Sequence, residues 1–476
     1  MREFIKLSIL FLIFAFAATS IMSCSETKNS EDPIVQGDGD GDSGDGDGDG
    51  DGDNDPEDDD GEDYDGSYDG DLDLIASGGG DGQWASDLYT RVITFGQFTS
   101  NGSMEIGVAS SERSGDRWYA YEYDGSDISL VESGAAGSTG DVVVTGMAFA
   151  EVDGQKVAVM ARSIYTNGQE RIKAYDENGS KVFGMAEGWG EGIYASALVA
   201  GDIDGDGNDE IIVGRRHTGD EFSSSEQARW YIYDKDGNAL FCGGGAPDYN
   251  DCMVNSATSW GETSYVTDLA VKDIDGDGMA EIAIARKQDG DNDKWFVYEY
   301  NDGALDLVIS GTTPKSNTWP TGIDLGYFEG KGVVGVSLNE TTNGSDRIVV
   351  YDMSADSVTK AGSAWGGTIY ATDIAFGDID GDGNDEFVVG RNDEDGEFSD
   401  KKYSRWNVYD KDGNELFCGG GEVSYDQCMV EDMSGWGEDF YTSDVAMGDV
   451  DGDGRDEIGI ARYATGSNDK WFVYDF

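Results

Sequence analysis

This 476-residue chain is poor in positive charge, sulfur, histidine and long apolar runs. Its 31 Lys and Arg stand against 98 Asp and Glu, a formal net charge of −67. A phosphate backbone is bound through cations that displace its counterions, so nucleic acid is excluded as a partner. The single histidine, His217, reads as a surface residue and lies near neither cysteine cluster. One apolar run stands out, Leu7 to Ala18, and it is too short for a comfortable membrane span. No long helical periodicity appears anywhere.

What is present begins at the N-terminus. Arg2 and Lys6 precede the apolar run, so residues 1–23 read as a signal peptide. The segment Ile21-Met22-Ser23-Cys24 resembles the lipobox of bacterial lipoproteins, which implies lipidation of Cys24 and membrane contact through that anchor alone. Ordinary cleavage with an unmodified Cys24 is the alternative. Ser25 is not the Asp associated with retention at the inner membrane, so an outer-membrane or cell-surface location is expected. Residues 24–70 are rich in Gly and Asp with almost nothing apolar to bury, and they read as a disordered, solvated tether. Residues 71–476 are the folded part. Its four cysteines, Cys242, Cys252, Cys418 and Cys428, lie in two similar stretches, FCGGGAPDYNDCMV and FCGGGEVSYDQCMV. An even count in an exported chain predicts the bridges Cys242–Cys252 and Cys418–Cys428.

Internal repetition organises the rest. One unit recurs: an apolar stretch, an acidic loop such as GDIDGDGNDE, an alternating stretch, an aromatic W-x-x-Y-D segment, and an Asp-Gly or Asn-Gly turn. Strong copies start their loops at Asp202, Asp273, Asp378 and Asp449. Weak copies are FGQFTSNGSMEIGVAS, FAEVDGQKVAVMA and LGYFEGKGVVGVS, which makes seven units. A period of 176 residues maps Asp202 onto Asp378 and Cys242 onto Cys418. Four strands per unit predict an all-β fold, a seven-bladed β-propeller of four-stranded antiparallel blades. The chain stops in the third strand of the last unit, and the missing outer strand reads as DLDLIASG at Asp71–Gly78. The N-terminal strand is therefore expected to complete the last blade and close the ring.

Each strong loop places carboxylates at positions one, three, five and nine: Asp202, Asp204, Asp206 and Glu210; Asp273, Asp275, Asp277 and Glu281; Asp378, Asp380, Asp382 and Glu386; Asp449, Asp451, Asp453 and Glu457. Hard oxygen donors in a tight Gly-containing loop suit Ca²⁺. Position seven (Asn208, Met279, Asn384, Arg455) varies in the manner of a residue offering only its backbone carbonyl. Glu at position twelve, which an EF-hand needs, is replaced by Val213 within a strand pattern. These loops resemble the FG-GAP or VCBS repeat of integrin α-subunit propellers and many bacterial surface proteins. The resemblance implies about four mainly structural calcium ions, with no site in blades one, two and five. The family usually has Asp at position nine, where this chain has Glu.

Tryptophans mark two repeat positions. Trp118, Trp230, Trp295, Trp406 and Trp471 open the third strand and are expected to pack between blades. Trp84, Trp189, Trp260, Trp365 and Trp436 precede the inner strand, each with Tyr five residues later, and Trp319 takes the same place without the tyrosine. This second set lies on the face opposite the acidic loops, where it either packs between blades or offers rings to a ligand. No catalytic constellation is visible. The expected function is a non-catalytic binding or adhesion module for a glycan or protein. The alternatives are a carbohydrate-active enzyme such as a calcium-dependent polysaccharide lyase, and a structural envelope component.

Overall fold

The computed structural model describes residues 72–476 except 81–83, 85–87, 113–116, 136–141, 165, 220–221, 223–226, 247–250, 255–259, 394–397, 399–402, 422–427, 431–435, 438 and 465. The expectations for the signal peptide, Cys24 and the Gly-Asp tether lie outside the described residues. Among those described, 28 strands form seven four-stranded antiparallel sheets, and regular helix is limited to one 3-10 turn, Glu187–Trp189. Successive inner strands pack side by side and the seventh returns to the first, so the fold is a seven-bladed β-propeller. Blades one to six run 90–134, 144–185, 193–243, 265–311, 320–361 and 369–419. Blade seven is 441–475 plus the N-terminal strand Asp73–Gly78, which pairs antiparallel with Trp471–Asp475. Both predicted disulfides form, with Cα atoms 5.2 and 5.1 Å apart, and they fit an oxidising, exported setting. No described helix is long and apolar enough to cross a membrane.

Neighbouring blades are joined by aromatic packing. Each strand-three tryptophan is fully buried and meets a tyrosine of the next blade. The pairs are Trp118 with Tyr175, Trp230 with Tyr298, Trp295 with Tyr351, Trp406 with Tyr474 and, across the ring closure, Trp471 with Tyr121 at 5.0 Å. Space for these indoles comes from the strand beside them. Trp118, Trp230, Trp295, Trp406 and Trp471 sit opposite Gly134, Gly243, Gly311, Gly419 and Gly78 in register. A Cβ on any of the five would stand 2.2–2.7 Å from the indole. Where strand three opens with Ile172 or Ile348 instead, the opposite residue is Met185 or Ala361.

A second junction was not anticipated from the sequence. The residue before strand three is a buried cation in all seven blades: Arg117, Arg171, Arg229, Lys294, Arg347, Arg405 and Lys470. Backbone carbonyls accept from each of them. Nε of Arg171, Arg229, Arg347 and Arg405 donates to Ile193, Ser264, Ile369 and Phe440, each at the entry to the next inner strand. Lys294 donates to Ser316 and Lys470 to Gly466. A buried cation is tolerable only when fully hydrogen-bonded, so each one fixes the path of the connection beside it.

Gly311→Ala is expected to destabilise the fold by roughly 1–3 kcal/mol through overpacking, because no positive φ is involved and the Cβ meets only the Trp295 ring. Trp295→Ile in the same chain should recover most of that loss, as blades two and five already do. Urea midpoints of the two single variants and the double variant measure it; a purely additive double variant would contradict the steric account.

Candidate metal centre and channel mouth

The acidic loops join strands one and two at one rim of the ring. Their backbone is folded by the first aspartate. In the blade-three loop, Asp202 Oδ1 accepts from the amides of Gly205 and Asp206, and Oδ2 accepts from Gly207. Asp273, Asp378 and Asp449 accept equivalent amides. Positions four and six are glycines at φ between 73° and 97° in all four loops, a left-handed conformation costly for other residues. At position seven, Asn208 and Asn384 accept from the amides of Asp153 and Glu329 in the preceding blades while their side-chain amides donate to Asp206 and Asp382, and Arg455 donates to Asp453.

The four loops do not gather their carboxylates equally. In 449–457, Asp449, Asp451, Asp453 and Glu457 all bring an oxygen within 4.8 Å of one another. Loop 202–210 gathers Asp202, Asp204 and Asp206, loop 273–281 gathers Asp273, Asp275 and Glu281, and loop 378–386 gathers Asp378, Asp380 and Glu386. Glu299, on strand three of blade four, joins Asp275 and Asp277 in a further group; nothing in the nonapeptide pattern pointed to it. Burial first, then the adjacent aspartates, pushes Glu281 up to about 7 and Glu210 and Glu457 up to about 8.

Blade one is an internal control. Its Glu105 holds position nine, fully buried, and Oε2 accepts from the Phe98 and Thr99 amides while Oε1 accepts the Thr99 hydroxyl. Lys156 donates to Gln97 at position one. Protein donors thus occupy this site. In blade seven, Glu457 Oε2 accepts from the Val450 and Asp451 amides, but Oε1 has no partner, although the residue is only 1% exposed. A buried carboxylate with one oxygen lacking a donor, grouped with three further carboxylates, has the chemistry of a hard-cation ligand.

The tryptophans that were candidate ligand rings are interior. Trp84, Trp189, Trp260, Trp365 and Trp436 are 2–8% exposed. Arg215, Arg286, Arg391 and Arg462, at the ends of second strands, lie 4.5–5.0 Å over Trp189, Trp260, Trp365 and Trp436. Trp84, Trp189, Trp260 and Trp436 stack on strand-three aromatics. Trp319 is half-buried under Lys287 at 4.6 Å. These contacts and their burial leave little of the five rings exposed.

The tyrosines five residues further on behave differently. They start the inner strands at the mouth of the central channel, on the face opposite the acidic loops. Tyr441 and Tyr463 stack at 4.6 Å, Tyr89 stands 4.2 Å from Tyr463, and Arg91 donates to the Tyr89 hydroxyl while lining the channel. All four side chains are half-buried. Across the mouth, Arg216 lies 4.3 Å over Tyr265 and Lys287 lies 5.5 Å over the same ring. Beneath this rim the channel encloses about 430 Å³. Four aspartates on consecutive blades line it, each accepting from a backbone amide of the next inner strand: Asp268 from Ile323, Asp324 from Phe376, Asp373 from Val445 and Asp444 from Ile93. They act as staples between blades. Burial raises all four, Asp324 to about 6 and Asp444 to about 7; the adjacent Asp444 carboxyl raises Asp373 further, while the hydrogen bond with Asp373 pulls Asp444 back down.

The chain matches no protein-family description and no curated protein. Solved structures with a similar fold include BBS1N in complex with ARL6DN (12% identity, 81% of this chain and 92% of that chain, TM-score 0.47). The propeller of Dos1 is similar at 11% identity over 85% of this chain and 95% of that one, TM-score 0.46. The rhamnogalacturonan lyase YesW is similar at 11% identity over 82% and 90%, TM-score 0.36. These likenesses are too distant to bear on function.

The folded chain keeps the channel protons to a higher pH than the unfolded chain does, so these aspartates cost stability progressively from about pH 4 to about pH 7. Asp373→Asn should therefore raise the melting temperature more at pH 8 than at pH 4.5, measured in EDTA at both values. A larger loss at pH 8 would show that the charged form of Asp373 stabilises the ring.

Proposed function

We propose that this chain is an exported propeller that holds about four calcium ions in loops 202–210, 273–281, 378–386 and 449–457 and serves as a non-catalytic binding module for a glycan. Lipidated Cys24 would anchor it at the outer membrane or cell surface. The metal half rests on Glu457, whose buried Oε1 has no donor and whose carboxylate groups with three others, whereas the equivalent Glu105 is satisfied by Thr99. Bound calcium would neutralise the crowded carboxylates and brace the first strand of a blade to its second. Asp at positions one, three and five and Glu at position nine would hold it; position seven would offer its main chain, since the Asn208 and Asn384 side-chain oxygens already accept from the preceding blades and Met279 and Arg455 have none.

For ligand binding, the channel mouth replaces the buried tryptophans as the favoured seat. Tyr89, Tyr441 and Tyr463 combine ring surface with hydroxyls, and Arg91 adds a planar donor. Such sets suit sugars, which present C–H faces to rings and hydroxyls to polar groups. The channel acids below them are engaged in joining blades, which favours recognition over acid–base chemistry.

A melt of the full chain in EDTA and in millimolar calcium tests the metal half. The melting temperature should rise clearly with calcium, and Glu457→Gln should reduce that rise; no rise in the wild type would remove the metal reading. A glycan array tests the other half, with Arg91→Ala and Tyr89→Ala expected to weaken any hit about tenfold or more. An array blank in both buffers would redirect the search to protein partners, and release of shortened or unsaturated sugars would establish an enzyme.

A further inference from the structure

The acidic loops are unevenly placed around the ring. Blades three and four carry one adjacent pair and blades six and seven the other; blade five and blades one and two separate them. In every strong loop the eighth residue reaches back to the first loop residue of the preceding blade. Asp209 and Asp385 donate their amides to the carbonyls of Glu151 and Tyr327, whose blades have no carboxylate set, and their side chains accept the amides of the same residues. In the other two loops the residue reached is itself a candidate ligand. The Ala280 amide donates to the Asp202 carbonyl at 2.9 Å. The Asp456 amide donates to the Asp378 carbonyl at 2.9 Å, and Asp456 Oδ2 accepts the Asp378 amide at 3.0 Å.

Asp378 is therefore gripped on both its main-chain groups by a residue of the next blade's loop. That residue immediately precedes Glu457. The approach is built into the sequence, because a Cβ on Gly377 would stand 2.6 Å from Asp456 Oδ2. Fixing Glu457 by engaging its free oxygen fixes Asp456, and Asp456 fixes the backbone of the first ligand in loop 378–386. Linkage makes the effect reciprocal: whatever strengthens one site of the pair strengthens the other by the same factor. Blades three and four have the same arrangement with Ala280 in place of the aspartate, so only the main-chain half of the grip remains.

We infer that calcium binds in two coupled pairs, with Asp456 as the positioning residue that ties loop 449–457 to loop 378–386, and with weaker coupling between loops 202–210 and 273–281. The inference rests on the calcium reading above. Calorimetric titration of the full chain with calcium tests it, each variant first being shown by its far-ultraviolet spectrum to be folded. Glu457→Gln removes a ligand of one site; it should also weaken a second site by about fivefold or more and leave two unchanged. Asp456→Ala, which removes no candidate ligand, should weaken the same two sites, and Asp456→Asn, which keeps an acceptor for the Asp378 amide, should restore most of the affinity. Asp209→Ala, whose grip ends on Glu151, should weaken loop 202–210, carry over to loop 273–281 only through the main-chain link, and leave loops 378–386 and 449–457 unchanged. Three sites at wild-type affinity in Glu457→Gln would overturn the coupling and leave the calcium reading standing. A wild-type chain that takes up no calcium would overturn both.

Discussion

A guanidinium or ammonium removed from water must find an acceptor for each proton, and main-chain carbonyls are the acceptors this ring provides. Seven buried cations, from Arg117 to Lys470, each stand at the start of a third strand with their protons on neighbouring connections. Much else follows from that placement. Carbonyls gathered around a cation fix where the chain turns into the next inner strand, which brings the connection tryptophans inward and leaves the tyrosines after them at the channel mouth. Second-strand arginines then cover the indoles from the other side.

The same placement divides charge across the molecule. A chain with 31 cations buries 13 of them among the described residues, while Lys235, Lys272, Lys411 and Arg455 meet carboxylates near the acidic loops. Long-range repulsion on the loop face is screened by salt beyond about 10 Å, but within a nine-residue loop it is not. Blade one answers this locally with Thr99 and Lys156. Blade seven has no such donor at Glu457 Oε1, although Arg455 meets Asp453 in the same loop.

Much of the fold was legible because repetition carries its own register. The seven units, the outer strand borrowed from the N-terminus and both cysteine pairs follow from aligning the copies, and the structure confirms each of them. What repetition conceals is direction. Trp189 and Tyr194 recur with equal regularity, yet one is buried beneath Arg215 and the other stands at the mouth, and strand alternation is broken there by the bulge that recurs in each inner strand. The cation before strand three was visible as RW, RI or KW in all seven copies, but an isolated basic residue reads as surface until its burial is known. Asp268, Asp373 and Asp444 were hidden by lying in stretches that look like ordinary half-buried strands. Asp456 was hidden differently, absorbed into an acidic motif whose other members account for its presence.

The closing strand has a consequence for how the molecule comes to be. Asp73–Gly78 pairs with Trp471–Asp475, so the first strand of the domain to be synthesised waits for the last before it gains a neighbour. Looping out nearly the whole domain adds little entropy beyond that of a shorter loop, since the cost grows only with the logarithm of length. The difficulty lies in the order of events. Six blades can form locally while the chain is still emerging, but the seventh has an open edge until Trp471–Asp475 has emerged. Only the pairing of Trp471–Asp475 with Asp73–Gly78 completes blade seven. A chain truncated by even the last strand would therefore remain open, with both blade one and blade seven exposed to other copies of itself.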